Sequence, residues 1–74
     1  MEYRIDTASL RGYQARKGLS NIEFSKKLGI HRNTLSFYYE NPMKIPYNII
    51  DKMITVLSLS EAEAAAVFFS KKLA

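Results

Sequence analysis

The chain has 74 residues, enough for one small domain with a modest core. It contains no cysteine and one histidine, which excludes a disulfide framework, a thiolate metal site and a histidine-built catalytic or zinc centre. Hydrophobic residues make up 47% of it, too many for a disordered chain, and its net charge of +4 at pH 7 favours an anionic partner.

The excess charge is uneven. Up to Glu40 there are seven basic and four acidic side chains, and after it four and three. No signal peptide is legible and no apolar stretch is long enough to span a bilayer, so a cytoplasmic protein without membrane contact is expected. No carboxylate pair in a pocket-forming context, nucleophile with a base, phosphate-cradling glycine loop or metal-ligand set is present. The expectation is a binding protein with no cofactor, not an enzyme.

Residues 1–5 read as a flexible arm before a single domain that covers 1–74. Asp6 is placed to cap a first helix from about Thr7 to Lys17, with Leu10, Tyr13 and the stem of Arg16 turned inward. Gly12 lies inside that helix, where glycine costs about 0.5–1 kcal/mol against alanine, and this suggests close packing. Arg16 and Lys17 suit the negative end of the helix dipole, and Gly18 is a stop signal.

Ser20 and Glu23 have capping-box spacing for a second helix, in which Phe24 and Leu28 share a face. Gly29 can take the left-handed backbone angle that ends it, and Ile30 then pins the turn inward. A third helix begins at His31 or Arg32, with Leu35 and Tyr38 as its buried side. It ends at Asn41-Pro42, because proline resists a helical residue before it.

Pro42 and Pro46 bound a connection. A fourth helix from Tyr47 to Leu57 carries Ile50, Met53, Ile54 and Leu57 on one side. Ser58-Leu59 reads as a short link. Ser60 and Glu63 start a fifth helix that runs through the alanines to Lys71 and Lys72. Val67, Phe68 and Phe69 are adjacent and cannot all face one core. This predicts either ordinary packing with one stray exposed aromatic or a contact with a second copy or partner. The fold class is all-α, a compact five-helix domain.

The second and third helices, joined by a tight glycine turn, form a helix-turn-helix pattern. Its ordered residues are Phe24, Ser25, Leu28, Gly29, Ile30, Leu35 and Tyr38. On those residues the sequence resembles the Cro/CI-type helix-turn-helix family of phage and bacterial repressors. Ser25 stands where alanine is usual. Arg32, Asn33, Thr34, Leu35 and Ser36 resemble the start of the family's recognition helix, and Lys17 to Ser20 the approach to the motif. Pro46 and the apolar helix after it resemble the family's fourth helix. The resemblance covers roughly Leu10 to Ser60.

It implies a repressor-like fold, double-stranded DNA as partner, a homodimer on a palindromic operator, and a small early regulator in phage lysis/lysogeny control. The site would then be the host bacterial cytoplasm. DNA-contacting residues would be Asn21, His31, Arg32, Asn33, Thr34, Ser36 and Phe37. Arg32 can fork onto a guanine or clamp a phosphate, and Asn33 can pair with adenine. Asn21 stands where the family often has a phosphate-holding glutamine. His31 either donates to a phosphate or leads the turn and faces water. Lys26 and Lys27 read as solvated surface charge.

The departures point elsewhere. Phe37 and Ile22 are apolar where the family is usually polar, and Glu40 would repel phosphate. Phe37 could touch a thymine methyl or anchor a protein interface. The family's ion pair between the first helix and the end of the recognition helix falls here on Gln14 and Tyr39, which suggests a hydrogen bond or simple packing instead. The alternative is therefore a protein-binding module on the same scaffold that modulates a partner phage repressor. Its candidate interface residues are Ile22, Phe37, Tyr38, Glu40, Val67, Phe68 and Phe69.

Overall fold

The computed structural model describes residues 3–71, with the side chains of 4–70. Among the described residues there are five α-helices: α1 (Thr7–Arg16), α2 (Asn21–Leu28), α3 (Arg32–Glu40), α4 (Tyr47–Leu57) and α5 (Glu61–Phe68). A 3-10 turn, Pro42–Lys44, joins α3 to α4. The protein is a compact all-α domain.

Helix starts follow local chemistry. Asp6 accepts from the Ser9 N–H at 3.1 Å, and Ser20–Glu23 and Ser60–Glu63 both form complete capping boxes. Hydrogen bonds from Ser9 hold the Asp6 carboxyl below its ordinary value, and bonds from Ser20 and Ser60 do the same for Glu23 and Glu63.

Three helices end in one way. Gly18, Gly29 and Ser58 take left-handed φ values of 69°, 75° and 53°. The N–H of the next residue then reaches back five positions: Leu19 to the Gln14 carbonyl at 3.2 Å, Ile30 to Ser25 at 3.0 Å, and Leu59 to Ile54 at 3.0 Å. This double closure is the Schellman motif, and its following hydrophobe packs inward. Leu19, Ile30 and Leu59 all pack against the core. The glycine turns were expected from sequence. Ser58 lies in what the sequence marks only as a short link.

The core joins Leu10 of α1, Phe24 and Leu28 of α2, Leu35 of α3, Met53 of α4 and Val67 of α5, all fully buried. α2 packs chiefly on α3 and α4, and α1 on α5. Ser25 is buried where α2 crosses its neighbours. Its hydroxyl donates to the Ile22 carbonyl at 2.8 Å, so the small polar residue leaves nothing unsatisfied.

Several inward faces differ from expectation. In α3 the buried pair is Leu35 and Tyr39, and Tyr38 is half-buried. In α1 the buried residues are Leu10 and Gln14, with Tyr13 half-buried and Arg16 exposed. In α4 they are Ile49, Met53 and Leu57, flanked by half-buried Ile50 and Ile54. Gly12 has no close neighbour: an added Cβ would meet nothing within 4 Å.

The fifth helix is shorter than expected. It stops at Phe68, and Ser70–Lys71 (β2) pairs antiparallel with Tyr3–Arg4 (β1). The pairing sets Tyr3 opposite Lys71 and Arg4 opposite Ser70. Asp6 N–H donates to the Val67 carbonyl at 2.7 Å, which continues the junction. Residues 3 and 4 of the expected arm are thus a strand, while Met1, Glu2 and the helix-closing role given to Lys72 lie outside the described residues.

Candidate nucleic-acid interface

The candidate surface is built on α2, the Gly29 turn and α3. Leu35 and Tyr39 are four apart and fix one side of α3 in the core. The opposite side is left outward: His31, Arg32, Asn33, Ser36, Phe37 and Glu40 are all exposed, and Thr34 is half-buried. On α2, Asn21, Ile22, Glu23, Lys26 and Lys27 are exposed. A tight turn thus presents two helix faces that carry amides, hydroxyls, cations and two large apolar side chains.

The turn is secured from both sides. Gly29 occupies the left-handed region at φ 75°. Lys52 of α4 reaches over with its Nζ 3.5 Å from the Leu28 carbonyl, which places a cation on the negative end of α2.

His31 has a role the sequence did not disclose. It is the N-cap of α3, and its Nδ1 accepts from the Asn33 N–H at 3.0 Å. With Nδ1 accepting, the neutral ring carries its proton on Nε2, which remains available as a donor. From sequence it is a phosphate donor or a residue that leads the turn and faces water. The available signal was its position directly before the helix, where a side-chain acceptor is needed.

Gln14 and Tyr39 join in a hydrogen bond, one of the two substitutes expected for the family's ion pair. The Tyr39 hydroxyl donates to Gln14 Oε1, while Gln14 Nε2 donates to the Leu19 carbonyl at 3.1 Å and to Asn21 Oδ1 at 2.8 Å. Gln14 and Tyr39 are each 6% exposed. Arg11 lies over the Tyr39 ring, its guanidinium carbon 4.4 Å from the centroid. Burial raises the Tyr39 hydroxyl to about 12, against a smaller opposing effect of Arg11.

The apolar candidates divide. Ile22 and Phe37 are 46% and 45% exposed, and Phe37 meets Tyr38 in a tilted aromatic contact with centroids 6.1 Å apart. Val67 and Phe68 are buried in the core, so they are corrected from interface to packing residues. Both lie on the last turn of α5, which ends at Phe68. Phe69 departs from helical geometry and is 56% exposed. It lines a groove of about 250 Å³ with Arg4, Ile5, Met43, Ile45, Tyr47, Ile50 and Phe68.

Among the described residues, no three His, Asp or Glu side chains gather in a group able to hold a metal. No described helix is long and apolar enough to cross a membrane. Compared with protein-family models, curated proteins and solved structures, the chain matches none.

Proposed function

We propose that the protein is a small transcriptional regulator that binds operator DNA, with α2, the Gly29 turn and α3 acting as a helix-turn-helix. In this reading α3 enters the major groove and belongs to a Cro/CI-type repressor involved in phage lysis/lysogeny control. One observation carries it: α3 is anchored by Leu35 and Tyr39 while Arg32, Asn33 and Ser36 stand exposed on its other side. Such a helix offers guanidinium, amide and hydroxyl groups to base edges and phosphates. The net charge of +4 supplies a modest general attraction to DNA.

Recognition of a palindromic operator calls for a dimer. The exposed Phe69, Met43 and Tyr47 beside the apolar groove are the residues we assign to it. The chemistry is that of binding, with no catalytic step and no cofactor.

The test is a titration of the purified protein against DNA from its own gene neighbourhood at several salt concentrations. Specific binding that weakens steeply as salt rises supports the reading. Affinity indifferent to sequence and to salt would sink it.

A second reading is favoured by the exposure of Ile22 and Phe37. Large exposed apolar residues more often anchor protein contacts than DNA contacts. On that reading the same face binds a partner phage repressor and modulates it. Adding the product of the neighbouring regulator gene to the titration separates the two. A DNA pattern that changes only in its presence favours the protein-binding module.

A further inference from the structure

The apolar groove has two unlike walls. One is the junction of the chain ends, where β1 meets β2, and it supplies Arg4, Ile5 and Phe69. The other is the 3-10 turn with the start of α4, which supplies Met43, Tyr47 and Ile50. Met43, Tyr47 and Phe69 stand out at 73%, 81% and 56% exposure. With a whole aromatic side chain at about 150–250 Å², the three leave on the order of 400 Å² of apolar surface in water. That is about half of what one partner contributes to a standard interface. The hollow of about 250 Å³ is smaller than the usual small-molecule site of roughly 300–1,000 Å³, and suits a large side chain instead.

Knobs and hollow thus lie on one surface. A two-fold contact needs this, because the same patch must supply both partners. The charges at the rim meet the same condition. Arg4 is exposed on the strand wall, and Asp51 is exposed one helical turn after Tyr47 on the helix wall. Asp6, the carboxylate near Arg4, has both oxygens engaged by Ser9 as the cap of α1. Lys44 is exposed on the turn as well, so the rim does not call for a partner of uniform charge. A two-fold axis through the groove sets the strand wall of each copy against the helix wall of the other.

We propose that a second copy of this chain occupies the groove in a two-fold contact, with Tyr47 and Phe69 as anchors and Arg4 of each copy set against Asp51 of the other. The proposal deepens the dimer of the preceding reading and rests on that reading for its purpose. It gives the paired chain ends a part in assembly: the β1–β2 junction builds the wall that carries Arg4. The contact is reciprocal, so it closes at two copies and does not continue into a chain. Because the 3-10 turn joins α3 to α4, it also lies next to the end of the helix proposed to enter DNA.

The test is sedimentation velocity on the full chain, without DNA, across a concentration series. Wild type is expected to pass from monomer to dimer with no larger species. Tyr47→Ser is expected to raise the dimer Kd at least about thirtyfold, because the loss enters twice. Arg4→Asp and Asp51→Arg are each expected to raise it about tenfold, since each sets like charges opposite one another at two places. The double variant restores opposite charges and is expected to return to within about threefold of wild type. All three side chains are exposed, and a melting curve for each variant shows that it folds. Wild type that stays monomeric up to about 1 mM would overturn the proposal and leave the groove to another partner. So would a dimer indifferent to Tyr47→Ser, or a double variant in which the two losses multiply. A dimer with these properties that binds no DNA keeps the contact and sinks the DNA reading. Operator binding by a chain that stays monomeric sinks the contact alone, so the two failures are distinguishable.

Discussion

Tyr39 and Gln14, twenty-five positions apart in sequence, are joined by a buried hydrogen bond that ties α3 to α1. The bond needs Tyr39 neutral, because a phenolate cannot donate. Burial raises its hydroxyl to about 12, above the ordinary value of 10.0. The folded state therefore holds this proton more tightly than the unfolded state. The stabilisation is fully present below pH 10.0 and is lost as pH rises towards about 12. We expect the melting temperature of the wild type to fall through that window. Tyr39→Phe should be less stable near neutrality, and the gap should close as pH rises. Thermal melts of both proteins across the alkaline range check this, and a gap that stays constant would contradict it.

The three left-handed helix ends differ in their residues, and the difference is measurable. Ser58 occupies φ 53° with a side chain that opposes it. Ser58→Gly should stabilise the domain by about 1 kcal/mol, partly offset by loss of the long Lys17 Nζ contact to its hydroxyl at 3.4 Å. Gly29→Ala should do the reverse. Its Cβ would lie 3.7 Å from Lys52 Nζ, an ordinary contact, so the cost of about 1 kcal/mol comes from the backbone angle alone. Gly12→Ala should gain about 0.5–1 kcal/mol, because the site is open and helical. Urea unfolding of the three variants reads all of these, and a destabilised Gly12→Ala would show an unrecognised contact there.

His31 caps α3 through Nδ1. His31→Ala removes the acceptor and should cost about 0.5–2 kcal/mol. His31→Ser supplies a hydroxyl at the same position and should keep the stability of the wild type or exceed it. Equal stability of the alanine and serine variants would mean that the cap contributes nothing. If Nε2 also donates to DNA, His31→Ser should bind more weakly than wild type at unchanged stability, which separates the two roles of one ring.

Much of this was legible because it is local. The caps at Asp6, Ser20 and Ser60, the stops at Gly18 and Gly29, and the span of α4 follow from residues within a few positions of one another. The choice of Tyr39 over Tyr38 as the inward aromatic did not. Either spacing from Leu35 suits a helix, and the decision depends on Gln14, a polar partner brought near only by folding. The end of α5 was missed for a similar reason. Alanine-rich sequence favours a helix closed by Lys71 and Lys72, but a two-residue strand pairing with Tyr3–Arg4 has no periodicity to detect. Ser58 gave no glycine signal for its left-handed turn. For the candidate site, sequence identified the exposed residues of α3 but not the cap at His31 or the amide network behind Asn21.

Arg32 and Phe37 decide between the two functional readings, because both are exposed on α3 and neither is needed for the core. Phe37 is 45% exposed, so Phe37→Ala should cost about 1 kcal/mol or less of stability and leave a cooperative unfolding curve. If the face reads DNA, Arg32→Ala should weaken specific binding by about 1–3 kcal/mol where it contacts a base. Where it contacts only phosphate, the loss should be uniform across sequences and reduce the salt slope by about 1. Phe37→Ala should then have the smaller effect, limited to sites with a thymine at its position. If the face captures a protein, the order reverses. Phe37→Ala and Ile22→Ala should each abolish capture of the partner repressor, because buried aromatic and aliphatic anchors dominate such contacts, while Arg32→Ala at the rim changes mainly the association rate. Binding isotherms of the three variants against DNA, with and without the neighbouring regulator, give the ranking directly. Loss of fold in Phe37→Ala would show that Phe37 is part of the core and would remove the chief objection to the DNA reading.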